Sequence, residues 1–339
     1  MTVFVTGGAG FIGSEFIRQM AGSTRIINFD KLTYAGNLDN LAEVAAHADY
    51  SLVRGDVCDA QAVMEALPEG CDAVVHFAAE SHVDRSIAGA EEFVRTNLLG
   101  TQVMLDAARR RGVKRFLHIS TDEVGGDMPP GGWFREEDPL KGSSPYAASK
   151  AGAELLVGAA ARTFGMNTLI TRTSNNYGPY QFPEKLLPLA ISNVLEDRPI
   201  PVYGDGMQVR DWVHVTDNCR ALRAVLERGR AGETYHIGGG NPLPNIEVLR
   251  TLLKILGKPE SLLTTVTDRL GHDRRYAVDF SKTTRELGWK PEIPFAEGLA
   301  QTIRWYQDNA EWVRRCRSGE YRSYYESMYG DREASAKAL

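Results

Sequence analysis

The chain has 339 residues, of which 43% are hydrophobic and 24% charged, and its formal net charge is −5. This composition is typical of a soluble globular protein, and it excludes the basic surplus that nucleic-acid-binding chains carry. The seven histidines and four cysteines have no metal-ligand spacing, and the N-terminus has neither a basic segment nor an apolar run long enough for a signal peptide or membrane span. We therefore expect a cytoplasmic protein with reduced thiols, without a metal and without a nucleic-acid or membrane partner.

Short β-rich runs alternate with helical stretches through the first half of the chain. The predicted strands are residues 2–6, 25–29, 51–54, 73–77, 115–119 and 168–171. The predicted helices between them are residues 11–20, 59–66, 91–110 and 145–163. This alternation predicts an α/β fold, with a Rossmann-type doubly wound parallel sheet covered by helices on both faces.

After residue 174 the alternation fails because prolines interrupt the chain repeatedly. Later helices are predicted at 245–256, 295–309 and 310–327. We expect residues 1–173 to carry the parallel sheet, with part of 212–240 returning to it, and residues 174–330 to form mainly a smaller mixed α/β domain. The polar segment 331–339 is predicted to be a frayed tail.

A glycine-rich turn joins the first predicted strand to the first predicted helix. Its GxxGxxG spacing places Gly7 at the tight turn, Gly10 where a pyrophosphate approaches the backbone, and Gly13 where the helix packs on the sheet. Asp30 follows at the end of the second strand, where a carboxylate binds the adenosine ribose hydroxyls and repels a 2′-phosphate. The turn therefore predicts that residues 1–173 bind NAD.

Tyr146 and Lys150 lie four residues apart in the predicted helix 145–163, so their side chains share one helix face. A cation beside a phenol stabilises the phenolate and lowers the pKa of the tyrosine. Ser144 followed by Pro145 predicts a helix N-cap, which adds the positive end of the helix dipole. We expect Lys150 to tune Tyr146 for proton transfer.

Two adjacent carboxylic acids, Asp122 and Glu123, follow the predicted strand 115–119. Repulsion between like charges separates the pKa values of two such acids and leaves one protonated. An extra acid and an extra base suit an enzyme that also removes a neighbouring group, such as water. By itself the pair is also consistent with a solvated acidic turn.

Together these motifs resemble the extended short-chain dehydrogenase/reductases that act on nucleotide sugars, and within them the dTDP-glucose 4,6-dehydratases. The resemblance runs from residue 1 to about residue 328. The segments that carry it are DKLTYAGN at 30–37, AAESHVDRS at 78–86, STDEV at 120–124, SNNYGPY at 174–180, YGDG at 203–206, RDW at 210–212 and GHDRRY at 271–276.

The resemblance implies catalytic roles for Thr121, Asp122, Glu123, Tyr146 and Lys150. Tyr146, tuned by Lys150, takes the proton of the sugar C4 hydroxyl while hydride passes from C4 to NAD, and Thr121 hydrogen-bonds the C4 oxygen. Glu123 then removes the C5 proton, and protonated Asp122 delivers a proton to the departing C6 hydroxyl. Hydride returns to C6, which regenerates tightly bound NAD and leaves a 4-keto-6-deoxy sugar nucleotide.

The resemblance also implies the binding residues. Those assigned to NAD, besides the three glycines, Asp30, Tyr146 and Lys150, are Phe11, Ile12, Lys31, Thr33, Asp56, Val57, Phe77, Ala78, Ala79, Ser81, Thr96 and Asn176. Those assigned to a nucleotide-diphosphate hexose are Ser81, Thr121, Asn175, Lys185, Leu186, Pro201, Tyr203, Arg210, Asn245, Arg269, His272 and Arg274. Arginines at 210 and 274 suit diphosphate oxygens, which guanidinium binds in a fork. Arg210 is also consistent with a surface ion pair to Asp211.

One departure from the family pattern follows the acidic pair. The family continues with a tyrosine after the valine, but here Val124 is followed by Gly125 and Gly126, which makes the next loop more flexible. We expect the loop 127–141 to supply an aromatic side chain instead, with Trp133 as the candidate. The change bears on the preference for the sugar or the nucleotide base.

Other functions remain open at this stage. A 4-epimerase, a decarboxylase or a UDP- or CDP-glucose 4,6-dehydratase would share the fold, as would a catalytically idle NAD-bound sensor. The resemblance further implies a homodimer through the predicted helices 91–110 and 145–163. Their apolar stripes serve either that interface or the core, and consist of Val94, Leu98, Met104, Leu105, Leu155, Leu156 and Ala159.

Overall fold

The computed structural model describes residues 1–317. Its strands are β1 (Thr2–Thr6), β2 (Arg25–Asp30), β3 (Tyr50–Arg54), β4 (Ala73–His76), β5 (Phe116–Thr121), β6 (Thr168–Thr173), β7 (Asn175–Tyr177), β8 (Ile200–Tyr203), β9 (Val209–His214), β10 (Thr234–Ile237), β11 (Pro242–Pro244) and β12 (Leu263–Val266). Seven of them form one sheet in the order β10-β6-β5-β4-β1-β2-β3, and every pairing in it is parallel.

The helices are α1 (Phe11–Met20), α2 (Ala60–Ala66), α3 (Val83–Ala88), α4 (Glu91–Phe93), α5 (Gly100–Arg110), α6 (Pro145–Phe164), α7 (Leu186–Leu195), α8 (Val215–Arg228), α9 (Asn245–Leu256), α10 (Ser281–Leu287), α11 (Phe295–Asp308) and α12 (Ala310–Cys316). A π-helical segment, Val94–Leu99, joins α4 to α5. Short 3-10 helices occupy Leu38–Leu41, Asp122–Gly125 and Glu260–Leu262.

The large sheet is buried on both faces. Every residue of β4, β5 and β6 is buried, as expected for parallel strands covered by helices. One face packs on α1 and α8, and the other on α2, α5 and α6. The strand order reverses between β1 and β4, which is the switch point where doubly wound folds bind ligands. The predicted Rossmann-type fold is confirmed.

A second hydrophobic core lies beyond the sheet. Side chains of α7, α9, α11 and α12 pack there against β8 and against the aromatic residues Tyr177, Trp212 and Phe295. Two small sheets, of order β11-β9-β7 and β12-β8, border this core. The chain then returns to the large sheet, because β10 pairs with β6, and Trp289 after α10 donates a hydrogen bond of 3.1 Å from its indole to the Asp217 carbonyl oxygen in α8.

The strands and helices predicted in the first half lie within two residues of the observed bounds, although α3 was not predicted, and the elements of the second half were only partly predicted. The helix predicted at 91–110 exists, but it contains the π-helical segment. Helices α7 and α8 were not predicted; Pro188 is tolerated in α7 because it lies in the first turn, where its missing N–H leaves no intrahelical bond unmade. The helix predicted at 310–327 is observed as α12, and its remainder lies outside the described residues, as does the tail 331–339.

None of the helices within residues 1–317 has the length and apolar character needed to cross a lipid bilayer.

Candidate active site

A cavity of about 450 Å³ opens at the carboxyl ends of the parallel strands and faces the second core. Its walls come from the loops after β1, β2, β4, β5 and β6 on one side and from α7, β8, β9 and the segment 269–276 on the other. The cavity brings together every residue that we predicted for catalysis, cofactor or substrate except Arg274. This is the crevice where open α/β sheets bind their ligands.

The glycine loop after β1 has the geometry that a dinucleotide needs. Gly7 has a positive φ of 70°, and a Cβ atom there would lie 2.7 Å from the backbone nitrogen of Ala78. A Cβ atom on Gly13 would lie 2.4 Å from the carbonyl oxygen of Gly7. Around Gly10 only that same oxygen comes within 4 Å, at 3.3 Å. One side of Gly10 is therefore open to the cavity, at the N-terminus of α1, where the backbone can meet a diphosphate.

Asp30 anchors the loop and faces the cavity at the end of β2. Its carboxylate accepts hydrogen bonds from the backbone N–H groups of Ala9 and Leu32, each 2.8 Å long. Each oxygen keeps a second lone pair for a ribose hydroxyl. The side chain of Lys31 does not counteract this carboxylate, because its Nζ lies 3.0 Å from Asp56. The site therefore fits NAD better than NADP.

The acidic pair begins a 3-10 turn at the end of β5. The hydroxyl of Thr121 caps this turn by accepting from the Glu123 N–H at 3.3 Å, and it donates to Asp122 Oδ1 at the same distance. Asp122 is 3% exposed, and among residues 1–317 its Oδ2 has no hydrogen-bond partner. Burial, and then the charge of Glu123, hold the pKa of Asp122 well above its usual value. Burial thus favours the protonated form of Asp122, and one of its oxygens is free in the cavity.

Tyr146 lies in the first turn of α6, beside Glu123. The Ser144 hydroxyl caps this helix by accepting from the Ala147 N–H at 3.1 Å, and Pro145 begins it, as the sequence predicted. Burial and the charge of Glu123 raise the pKa of Tyr146, while a hydrogen bond with Thr121 opposes the rise. Without cofactor and substrate, the phenol of Tyr146 therefore keeps its proton.

The tuning of Tyr146 by Lys150 stays a prediction. The Lys150 ammonium points to the sheet, donating a 2.6 Å hydrogen bond to the Ile119 carbonyl oxygen and lying 3.4 Å from His118 Nε2. Burial lowers the pKa of Lys150 to about 8. The i, i+4 spacing places the two residues on one helix face, but a four-carbon side chain reaches past its neighbour to the nearest acceptor.

The π-helical segment fixes the loop after β4 to the helix that carries Tyr146. Asn97 in this segment donates from its amide to the Glu80 carbonyl oxygen at 2.9 Å and to Ser149 Oγ at 2.8 Å, and its Oδ1 accepts from the Glu80 N–H. The neighbouring Thr96 lines the cavity. Such π-turns are frequent at functional sites. Sequence reasoning did not identify Asn97, because a π-turn has no simple sequence pattern.

The far end of the cavity is lined by basic side chains. Lys185 Nζ donates to the Ser81 carbonyl oxygen at 2.6 Å, and Arg269 lines the wall near Asp84, with 3.9 Å between their nearest charged atoms. Arg210 is 5% exposed and stacks on the Tyr276 ring at 4.2 Å. These three cations face the cavity, where an anion can bind.

The geometry bears on two arginines at this end of the cavity. Arg210 is not part of a surface ion pair, because Asp211 is fully buried and accepts from the backbone N–H groups of Gly239 and Asn241. Arg274 lies outside the cavity wall and forms a two-pronged hydrogen bond with the exposed Asp205 at 2.8 and 2.9 Å, so its contact with the substrate stays a prediction. Arg269, which we also assigned to the substrate, does line the cavity.

Glu184 is a buried carboxyl in the cavity wall that sequence reasoning missed. It accepts from the Tyr34 hydroxyl at 3.2 Å and lies 3.5 Å from Arg85 Nε. Burial raises its pKa to about 6, against the charges of Lys185 and Arg85. Its position directly before the predicted Lys185 was the only available signal, and adjacency alone does not indicate which way a side chain points.

The space beside Gly125 is filled by Phe134, not by Trp133 as predicted. A Cβ atom on Gly125 would lie 2.6 Å from the Phe134 ring, which is 6% exposed and packs with Tyr276 and Val278. Trp133 is 40% exposed and lies outside the cavity wall. Phe134 thus fills the space beside Gly125 as part of a small cluster with Tyr276 and Val278, although it does not line the cavity.

Comparison with known proteins agrees with this geometry. The profile of the GDP-mannose 4,6 dehydratase family matches residues 4–302. A dTDP-glucose 4,6-dehydratase of Actinoplanes sp. is 51% identical over 320 residues, which cover 92% of this chain and 99% of the relative.

Solved structures of such enzymes also resemble this chain. The crystal structure of DesIV, a dTDP-glucose 4,6-dehydratase from Streptomyces venezuelae with NAD and TYD bound, superposes with a TM-score of 0.91 at 51% identity, covering 93% of this chain and all of that one. A UDP-glucose 4-epimerase of Thermus thermophilus in complex with NAD also shares the fold, with a TM-score of 0.84, but at 30% identity over 91% of this chain and 100% of that one. The chain belongs to the family of the dTDP-glucose 4,6-dehydratases.

Proposed function

We propose that this chain converts dTDP-glucose to dTDP-4-keto-6-deoxyglucose and water, as an NAD-dependent hydro-lyase. The observation that carries the proposal is the acidic pair at the end of β5. Asp122 is buried, with a raised pKa and a free Oδ2, and Glu123 and Tyr146 lie in the same cavity. A 4-epimerase needs only oxidation and reduction at C4, so it has no use for this acid and base.

The first stage needs a base at the C4 hydroxyl. As the phenolate, Tyr146 takes that proton on its oxygen and becomes a phenol, and Thr121 holds the C4 oxygen through its hydroxyl. When bound, NAD takes the C4 hydrogen as hydride and returns it to C6, and its positively charged ring favours the phenolate of Tyr146. Lys150, held by the Ile119 carbonyl, places a second positive charge near this site.

The second stage removes water. Oxidation at C4 acidifies the C5 hydrogen, which Glu123 takes as a proton. The C6–O bond breaks as Asp122 gives its proton to the departing hydroxyl, so that water leaves. After C6 is reduced, Glu123 returns a proton to C5. Tyr146 then releases its extra proton to solvent, and Asp122 takes one up from solvent, so that both residues are restored.

The nucleotide end of the substrate fits the basic wall of the cavity. We assign the diphosphate to Arg210, Arg269 and Lys185, whose cations converge there, and exclude Arg274 because it pairs with Asp205 outside the cavity. The other predicted substrate contacts stay assigned to the hexose and the base: Ser81, Thr121, Asn175, Leu186, Pro201, Tyr203, Asn245 and His272.

We further propose a homodimer and a cytoplasmic location. The exposed apolar side chains on the π-helical segment and α6 support the dimer: Leu155 is 67% exposed, Leu99 50% and Val94 49%. Met104 and Leu105, which the sequence offered for the same role, are buried in the chain's own core. Four free cysteines are consistent with the reducing cytoplasm.

The test is incubation of the purified protein with dTDP-glucose in deuterated water, followed by mass spectrometry of the nucleotide sugar. The proposal predicts loss of one water and gain of one solvent deuteron at C5. Turnover of UDP-glucose or CDP-glucose instead would support the same mechanism with a preference for a different nucleotide base. Interconversion of C4 epimers without water loss would identify an epimerase, and no reaction with any of these sugars would indicate a sensor.

A further inference from the structure

The last described helix, α12, belongs to the second core but touches the cofactor loop. Trp312 is 5% exposed and packs edge-on against Trp305, with 5.1 Å between the ring centroids, and against Tyr180 at 6.0 Å. Val313 and Cys316 are buried in the same cluster. The helix is thus fixed to the second core by its apolar face.

A chain of hydrogen bonds runs from this helix to the glycine loop. The Trp312 indole N–H donates to Asn40 Oδ1 at 3.0 Å, and the Asn40 amide donates to the Ala9 carbonyl oxygen at 3.0 Å. The Asn37 backbone N–H donates to the same oxygen, and the Ala9 N–H donates to Asp30. Asn40 is 3% exposed, so these bonds are shielded from water and costly to lose.

Ala9, which these hydrogen bonds hold in place, lies next to the backbone that would bind a diphosphate. Ala9 directly precedes Gly10, whose open side faces the cavity at the N-terminus of α1. Neither Asn40 nor Trp312 lines the cavity, so neither is in place to touch the cofactor. The hydrogen bond to the Ala9 carbonyl oxygen is the most direct route from Asn40 to the glycine loop.

We propose that Trp312 and Asn40 are positioning residues for NAD, and that α12 holds the glycine loop in the shape that binds the diphosphate. The inference rests on the proposed NAD-dependent function. If it holds, the affinity for NAD depends on α12, a helix of the second core that lies about 300 residues along the chain from the glycine loop.

The test compares two tryptophan-to-phenylalanine variants after removal of NAD. Trp312→Phe keeps an aromatic ring in the cluster but leaves Asn40 Oδ1 without its donor. Trp305→Phe makes the same chemical change in the same cluster, on α11. Calorimetric titration with NAD and, separately, with dTDP is expected to give an NAD Kd at least about fivefold weaker for Trp312→Phe only, with the dTDP Kd within about twofold of wild type for both.

A double variant separates the hydrogen-bond chain from general loosening. Trp312→Phe combined with Asn40→Ala should bind NAD no more weakly than Asn40→Ala alone, because the indole acts only through that amide. An unchanged NAD Kd for Trp312→Phe, or equal weakening of NAD and dTDP, would overturn the inference. If the wild-type protein itself failed to bind NAD, the cofactor assignment would fail instead.

Discussion

Asp122 and Glu123 are chemically alike, and their surroundings separate them. Asp122 is buried and hydrogen-bonded to Thr121, whereas Glu123 is only partly buried and its charge helps to raise the pKa of Tyr146. Because the pKa of Asp122 is raised by burial and by Glu123, Asp122 carries the proton of the pair near neutral pH. Two carboxyls with separated pKa values can serve as an acid and a base at the same time.

Replacing Asp122 by asparagine tests this division of roles. The Asp122→Asn amide has the same shape but cannot donate a proton to the C6 hydroxyl, so kcat should fall by at least about a hundredfold. Oxidation at C4 does not use Asp122, so bound NADH should accumulate on mixing with substrate, which its absorbance reports. The exposed Asp49 offers a control in Asp49→Asn; full activity in both variants would mean that Asp122 is not the acid.

Glu184 gives the fold a dependence on pH. Its pKa is about 6 in the folded protein against an ordinary value of 4.5, so folding favours the protonated carboxyl. The stability from this group is therefore fully present below pH 4.5 and is lost as the pH rises through about 6. Glu184→Gln, which resembles the protonated form, should raise the free energy of unfolding by about 2 kcal/mol at pH 8 and by much less at pH 5.

Urea unfolding of both proteins at the two pH values measures this difference. Glu227→Gln, at the exposed end of α8, removes a carboxylate of the same kind from the surface and should show no such pH dependence. A Glu184→Gln effect that is equal at both pH values would rule out the titration of Glu184 as its cause.

At the scale of elements, the loop after β5 depends on a glycine facing an aromatic ring. Gly125→Ala places a methyl group 2.6 Å from the buried Phe134 ring, so we expect a loss of about 1–3 kcal/mol in the free energy of unfolding. In a Phe134→Leu background the same substitution should cost less, because the ring it meets is gone. Equal costs in the two backgrounds would show that Phe134 does not fill this space.

The first half of the fold could be predicted because its strands are continuous apolar runs and its helices follow regular spacing. Strands β7, β8, β10, β11 and β12 have three or four residues each, and β8 and β11 contain prolines, so local pattern does not identify them. The same limit applies within the site. The sequence names Lys150, Arg269 and Arg274 as candidates, but only the fold decides that Lys150 reaches the Ile119 carbonyl and Arg274 reaches Asp205.

At the scale of the whole molecule, the cavity exists because two cores meet across it. The parallel sheet presents the glycine loop, the acidic pair and Tyr146, while the second core presents Arg210 and Lys185. Helices α8 and α10 and strand β10 return from the second half of the chain to the large sheet, so the two parts are joined by several crossings. This arrangement fixes the distance between the acidic pair on one side of the cavity and Arg210 and Lys185 on the other.

Within residues 1–317, the exposed side chains of Val94, Leu99 and Leu155 form an apolar strip on the surface. Leu98 in the π-helical segment packs against α6 beside Gly152, so the exposed Val94, Leu99 and Leu155 lie on adjacent helices. Exposed apolar residues grouped in this way mark association surfaces. Two-fold pairing of the strip with a second copy would bury it, since an isologous contact uses the same patch on both subunits.

Leu155→Arg tests this association. In the proposed dimer the substitution would bring two cations together, so we expect the variant to have the mass of one 37.4 kDa chain by light scattering and the wild type to have twice that mass. Ile255→Arg changes an apolar residue of 40% exposure on α9, away from the strip, and should remain dimeric. If the Leu155→Arg variant also remains dimeric, the interface must lie elsewhere on the surface. If the wild type is monomeric, the strip is not a dimer interface. Cofactor binding by a monomeric variant would then establish that each subunit contains a complete site, as the single-chain cavity requires.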